Sequence, residues 1–196
     1  MPLVVAAVIF FLIWTWRRGR ELMLQKLERD TLPLADFIAQ VHDKSRVPGT
    51  AVYLTSRTDV VPVPLLHNLK HNKVIHKRIV LLHVVTNNVP YVAADERIHI
   101  TDLTDNFYSV VVRYGFMEQP DIPKALEACG ARQLHFDLMD TSFFVGRMTI
   151  VPAGTSRLGR IRTKLFEAMH RNALAATEFF HIRPNRVVEL GGQIEI

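Results

Sequence analysis

RIVLLHVV, Arg78–Val85, decides the fold. Apart from Arg78 and His83 it is aliphatic throughout. A strand with one wet face alternates apolar and polar residues. A run that is apolar at nearly every position fits a central strand covered on both faces. It ends at Thr86-Asn87-Asn88. Before it, Leu65–Asn72 (LLHNLKHN) reads as a helix with Leu65, Leu66 and Leu69 on one side. Val60–Pro64 holds two prolines and reads as a connector, and Thr50–Thr55 (TAVYLT) is a short β-rich strand after a Pro48-Gly49 turn. Strand, helix and strand in that order open an α/β domain.

Downstream, Arg97–Leu103 alternates through Ile98, Ile100 and Leu103, and Phe107–Tyr114 (FYSVVVRY) is strongly β. Thr104-Asp105-Asn106 joins them as an antiparallel hairpin. Asp121–Cys129 reads as a short helix, with Pro123 in its first turn and Gly130 after its end. Gln133–Leu138 is a candidate strand, and Thr141–Val151 (TSFFVGRMTIV) a better one. Leu158–Ala176 has Ile161, Leu165, Met169 and Ala173 at helical spacing. Arg186–Leu190 and Gln193–Ile196 read as two strands around a Gly191-Gly192 turn. The fold class is therefore α/β: one domain with a mixed sheet and flanking helices.

Upstream lies Met1–Arg20, MPLVVAAVIFFLIWTWRRGR. Nothing from Pro2 to Trp16 is charged; Arg17, Arg18 and Arg20 then arrive together. Tryptophans at headgroup level with arginines just beyond are the end of a membrane span, and the basic side is cytoplasmic. About fifteen helical residues reach only about 22 Å, against a hydrocarbon core of about 30 Å. The expectation is a partial transmembrane helix, with Met1 inside a longer span of a larger membrane protein. A complete protein with a short anchor is the alternative. Arg20–Arg29 continues the helix, and Leu34, Phe37, Ile38 and Val41 form one apolar stripe on the next. The domain organisation expected is residues 1–20 as helix end and basic flank, 21–46 as connecting helices, and 47–196 as a cytoplasmic α/β domain.

The 196 residues are 48% hydrophobic and 22% charged, the balance of a folded domain. A single cysteine, Cys129, allows no internal disulfide and fits a reducing compartment. The net charge of +5 suits a domain beside an anionic leaflet. No nucleic-acid reader motif accompanies it, so nucleic acid is not an expected partner.

Constellations for chemistry are sparse. His67 and His71 share a helix face, with His76 and His83 nearby, but there is no HExxH, and histidines at a helix end also meet its last carbonyls. Gly154-Thr155-Ser156 precedes Arg157, Arg160, Arg162 and Lys164, and could hold an anion or meet lipid headgroups. A capped helix with a solvated basic face explains the same residues, and GxxxxGK[ST] is absent. No GxSxG elbow is present. Cys129 reads as a buried thiol, Asp137 and Asp140 as strand-end residues, and Gly191-Gly192-Gln193 as a turn. No enzyme activity, cofactor or metal is expected.

Several stretches together resemble a known family. GTAVYLT (Gly49–Thr55), HNLKHNKVIHKRIVLLHV (His67–Val84), RYGFMEQPDIPKAL (Arg113–Leu126), TSFFVGRMTIVP (Thr141–Pro152), LFEAMHRNA (Leu165–Ala173) and RVVELGGQIEI (Arg186–Ile196) are similar to the cytoplasmic C-terminal region of KUP/HAK/KT potassium uptake proteins of the bacterial Kup type. Met1–Arg20 similarly looks like the last transmembrane segment, with Trp14, Trp16, Arg17, Arg18 and Arg20 as its membrane flank. The resemblance implies a parent protein in the cell inner membrane that takes up K+, with H+ in symport, through about a dozen helices preceding Met1. It places no ion-binding residue in this chain. It implies a regulatory or structural role here, with membrane lipid and a homodimer among the partners. Relatives that sense a cyclic dinucleotide would put the candidate site at Gly154–Lys164. A self-standing, membrane-anchored regulatory or ligand-binding module is the alternative function.

Overall fold

The computed structural model describes residues 1–29, 32–41, 44–104, 106–132, 134–151, 157–171 and 179–195. In chain order the helices are α1 (Pro2–Arg29), α2 (Leu34–Gln40), α3 (Val63–Asn72), α4 (Ile122–Ala128) and α5 (Arg157–Arg171). The strands are β1 (Arg46–Thr55), β2 (Ile75–Asn87), β3 (Ile98–Thr104), β4 (Phe107–Gly115), β5 (Thr141–Val151) and β6 (Val187–Glu195). They form one sheet in the order β3-β4-β2-β1-β5-β6. β1 runs parallel to β2 and β5, β2 parallel to β4, and β3 is antiparallel to its neighbour β4. The sheet is mixed, and the fold is α/β.

Two compact units divide the chain. One holds residues 32–146 and 179–190, the other 1–29, 147–151, 157–171 and 191–195. In the first, β2 fulfils the reading of Arg78–Val85: Ile79, Val80 and Leu81 are fully buried and Leu82 is 1% exposed. Successive side chains of a strand point to opposite faces. Val80 and Leu82 therefore join Val52, Val110, Val112 and Phe143 under α4, while Ile79 and Leu81 join Ala51, Tyr53, Phe107 and Phe144 under α2 and α3. A strand sandwiched this way has no polar face to show in its sequence. Burying each such aliphatic side chain contributes about 1.5–3 kcal/mol.

α2 carries the stripe expected of it. Leu34, Phe37, Ile38 and Val41 are all buried. α4 begins at Asp121, whose carboxylate accepts the Lys124 N–H at 3.0 Å, with Pro123 in the first turn. A 3-10 turn, Cys129–Arg132, continues it.

Several local readings are corrected. Pro48-Gly49 lies inside β1, not in a turn before it: the register with β2 shifts between Val47 and Thr50, and Gly49 takes φ 97° there. Only glycine adopts that conformation without strain. α3 starts two residues earlier than expected, at Val63, because Pro64 fits the first turn of a helix that can spare its N–H. No strand forms over 134–138; Leu134 is buried, but the Asp137–Asp140 turn directs the chain straight into β5. The two terminal strands are one, because β6 passes through Gly191-Gly192 unbroken. A Cβ at Gly192 would lie 2.8 Å from the sulfur of Met148. The glycine there permits a close approach rather than a turn.

Candidate functional site

The second unit carries the proposed membrane flank. α1 is a single helix of 28 residues. Pro2–Lys26 is long and apolar enough, by length and composition, to cross a membrane. The helix continues past Trp16 without a break, so the apolar run is the first part of a longer rod. Its N-terminal residues are exposed along their whole circumference, with Leu3 at 84% and Phe10 at 71%. Burial on α1 begins at Leu12 and follows one face: Leu12, Thr15, Trp16, Gly19, Leu22 and Met23. That spacing is a helix–helix seam.

α5 supplies the other side of the seam. Phe166 is 2% exposed, and a Cβ at Gly19 would meet its ring carbons at 2.5 Å. Thr15 and Gly19 are small and one turn apart, which lets a second helix come close. The Trp16 ring lies 5.4 Å from that of Phe166 and 6.5 Å from that of His170. The guanidinium carbon of Arg162 stands 4.4 Å from the centre of the Trp14 ring, a cation–π pair. Arg162, Phe166 and His170 are spaced by four and form the packed face.

The expected stripe is thus rotated. Ile161 is 55% exposed, Leu165 and Met169 are half-buried, and Ala173 lies outside the described residues. Periodicity alone could not choose between the two faces, because α5 is apolar on one and carries Phe166 on the other.

Of the residues proposed for anion or lipid contact, Thr155 and Ser156 lie outside the described residues, as do the side chains of Arg157 and Arg160. Arg162 is held on Trp14, and Lys164 is exposed. Two residues along a helix turn the side chain by about 200°, so Arg162 and Lys164 do not share a face. Trp14, Arg17, Arg18 and Arg20 are exposed and Trp16 is half-buried; Arg18 pairs with Glu21 at 3.4 Å.

Replacing Gly19 with valine tests the seam. Its side chain would collide with Phe166, and overpacking of this kind costs about 1–3 kcal/mol. Trp14 and Trp16 are the chain's two tryptophans, so emission reports this contact directly. G19V in detergent should shift emission to the red as Trp16 loses its aromatic partner. Unchanged emission would mean that α1 and α5 do not meet at Gly19.

Elsewhere the histidines do not converge. The rings of His67 and His71 are 6.0 Å apart, edge to face. His76 packs against Phe144, and burial holds its pKa below the usual value. His83 Nδ1 is 3.0 Å from the Thr55 carbonyl oxygen. Among the described residues, no group of three or more His, Cys, Asp or Glu could hold a metal ion. Cys129 is fully buried, its thiol pushed up to about 11 by that burial, and it donates to the Ala125 carbonyl at 3.3 Å. Asp137 caps its own turn by accepting from the Met139 N–H at 2.8 Å.

One cluster had no signal in the sequence. The Glu118 carboxylate accepts the Gly115 N–H at 2.7 Å and the Val92 N–H at 3.1 Å, and is paired with Arg97. The bond from Gly115 is the chief cause that holds the Glu118 pKa below the usual carboxylate value. Arg97 also donates to the Val92 carbonyl at 2.9 Å and lies 5.3 Å from the centre of the Tyr114 ring. Tyr114 donates its hydroxyl proton to the Asp121 carbonyl at 3.0 Å. The bonds from Glu118 to Val92 and Arg97 join segments more than twenty residues apart, so no local pattern announces the cluster.

A helix of transmembrane length followed by a mixed α/β sheet defines the class. Residues 48–196 match the family model of the K+ potassium transporter C-terminal domain, and the chain belongs to that family. Over its whole length it is 67% identical to the probable potassium transport system protein Kup 1 of a Bradyrhizobium species, covering 32% of that protein. It is 51% identical to the corresponding Kup protein of Aromatoleum aromaticum, covering 31%. The Kup 1 protein of Paramagnetospirillum magneticum is 48% identical and also covered over 31%. The chain thus spans about a third of the length of the curated relatives it matches. No solved structure matches it.

Proposed function

We propose that this chain is the C-terminal part of a Kup-type potassium uptake transporter. The full-length protein moves K+ into the cell, with H+ in symport. This part supplies the last membrane helix and a cytoplasmic domain with a structural or regulatory role. The carrying observation is identity along the entire chain, 67% with the Bradyrhizobium Kup 1 protein, through α1 as well as the α/β unit. Arg17, Arg18 and Arg20 support a cytoplasmic position for the chain beyond them. Lipid contact falls to the flank of Trp14, Trp16 and these arginines, with Arg162, held on Trp14, and the exposed Lys164 of α5. No ion-binding residue is assigned here: ions in such transporters bind near the midplane of the membrane helices.

The test is a chimera. The matching third of the Bradyrhizobium Kup 1 protein is replaced by this chain and expressed in a bacterium lacking its own K+ uptake systems. The chimera should restore growth on low potassium and rubidium uptake, and collapse of the proton gradient should stop that uptake. This chain alone should restore neither. A chimera that reaches the membrane at the normal level yet takes up no ion would overturn the proposal. Uptake by the chain alone would overturn the claim that the ion path lies outside it.

A further inference from the structure

α5 is strongly basic for its length. Arg157, Arg160, Arg162, Lys164 and Arg171 stand against Glu167 alone, so five positive charges less one negative leave its 15 residues at +4. Only one face of the helix is packed on α1: Arg162, Phe166 and His170 supply it. Ile161 and Lys164 point away from that face; the first is 55% exposed and the second is exposed. Leu165 follows Ile161 by one turn and is half-buried. Apolar and basic side chains thus stand next to each other on the open side. A basic amphipathic helix of this kind suits a membrane surface.

The partners of α5 on α1 give its depth. Trp14 ends the uncharged run with Trp16 close behind, and Arg17, Arg18 and Arg20 follow, so this stretch of a spanning α1 passes through the headgroup layer. That layer is about 5–8 Å thick on each side of a bilayer, and Trp14 to Gly19 covers about 7.5 Å of helix. Arg162 meets Trp14, Phe166 meets Trp16 and Gly19, and His170 returns to Trp16. The stretch of α5 from Arg162 to His170, about 12 Å long, therefore stays against that short stretch of α1. A helix running alongside would meet a new turn of α1 with each turn of its own. α5 crosses α1 instead, at the level of the headgroups.

We propose that α5 is a second membrane attachment, lying in the plane of the cytoplasmic leaflet with Ile161 and Leu165 among the upper acyl carbons and Lys164 on lipid phosphates. This deepens the lipid contact proposed above and rests on the same membrane position of α1. Two observations choose lipid as the occupant. The charge of α5 complements the anionic lipids of the cytoplasmic leaflet. The open side of α5 is also continuous with the membrane flank of α1, through Arg162 on the Trp14 ring. In the chain α5 falls between β5 and β6, so the sheet is attached once before its first strand and again before its last.

The experiment installs the photo-cross-linker p-benzoylphenylalanine at Ile161 of the chimera, in cells grown on radioactive phosphate. Rubidium uptake by the chimera without the cross-linker is measured separately, so a failure of the transporter reading is seen apart from the lipid result. After irradiation and purification in detergent, the protein should carry radioactive phospholipid. Phospholipase C, which removes the phosphorylated headgroup, should strip that label. The same probe at Gln25, exposed on α1 about 9 Å beyond Gly19, should carry none. Labelling is also expected from Leu165, which decides the matter if the variant at 161 does not accumulate. No radioactivity at these α5 positions, cross-links from them to protein alone, or equal labelling at 161 and 25 would each overturn the proposal.

Discussion

Replacing Gly115 with alanine should lower the melting temperature of the full chain in detergent by about 10 °C, corresponding to about 3 kcal/mol. A Cβ at Gly115 would overlap the carbonyl of Pro90 and the backbone N of Tyr91. Both obstacles are backbone, so no side-chain rotation relieves the clash. The φ of Gly115 is not positive, and the cost is therefore steric rather than conformational. The loops that follow β2 and β4 must part, and Glu118 then loses the Val92 N–H and its Arg97 partner, which come from the other loop. G191A is the control, because a Cβ at Gly191 has nothing within 4 Å. Equal melting temperatures for G115A and the parent chain would mean that the two loops are not packed back to back.

Phe107→Ala should destabilise the α/β unit by about 3–5 kcal/mol, measured by urea unfolding followed by circular dichroism. Phe107 is fully buried at the start of β4, opposite Ile79, and its ring meets that of Phe37 edge to face at 6.4 Å. It thus links α2 to the sheet. Truncation removes a large apolar contact area and leaves a cavity between elements that are already fixed by their neighbours. F107L keeps most of the volume and should cost less than about 1.5 kcal/mol. If the alanine variant were no worse than the leucine variant, α2 would not be packed on β4 through this ring.

β2 and β4 are fixed by burial on both faces, and that rigidity is transmitted to the loops at their C-terminal ends. The α1–α5 seam has a different character. It depends on one close approach at Gly19 and on aromatic and cation–π contacts around Trp14 and Trp16.

Much of this was determined by the sequence alone. Continuous apolar runs mark strands covered on both faces, and RIVLLHVV is such a run. Alternation and a turn tripeptide mark the β3–β4 hairpin. The stripe of Leu34, Phe37, Ile38 and Val41 marks α2, and the ordered set of motifs marks the potassium transporter family. These signals are local: each depends on residues within one element, or on likeness to other sequences. The tertiary structure alone decided the rest. Gly49 became a bulge and Gly192 a close approach because β2 and Met148 lie beside them, where isolated glycines suggest turns. α5 turned Phe166 rather than Ile161 inward because Gly19 leaves room for a ring. The bonds that tie Glu118 to Val92 and Arg97 came from two loops brought together by the pairing of β2 with β4. Segments distant along the chain meet only through the fold, and a local pattern carries no record of which partner each will meet.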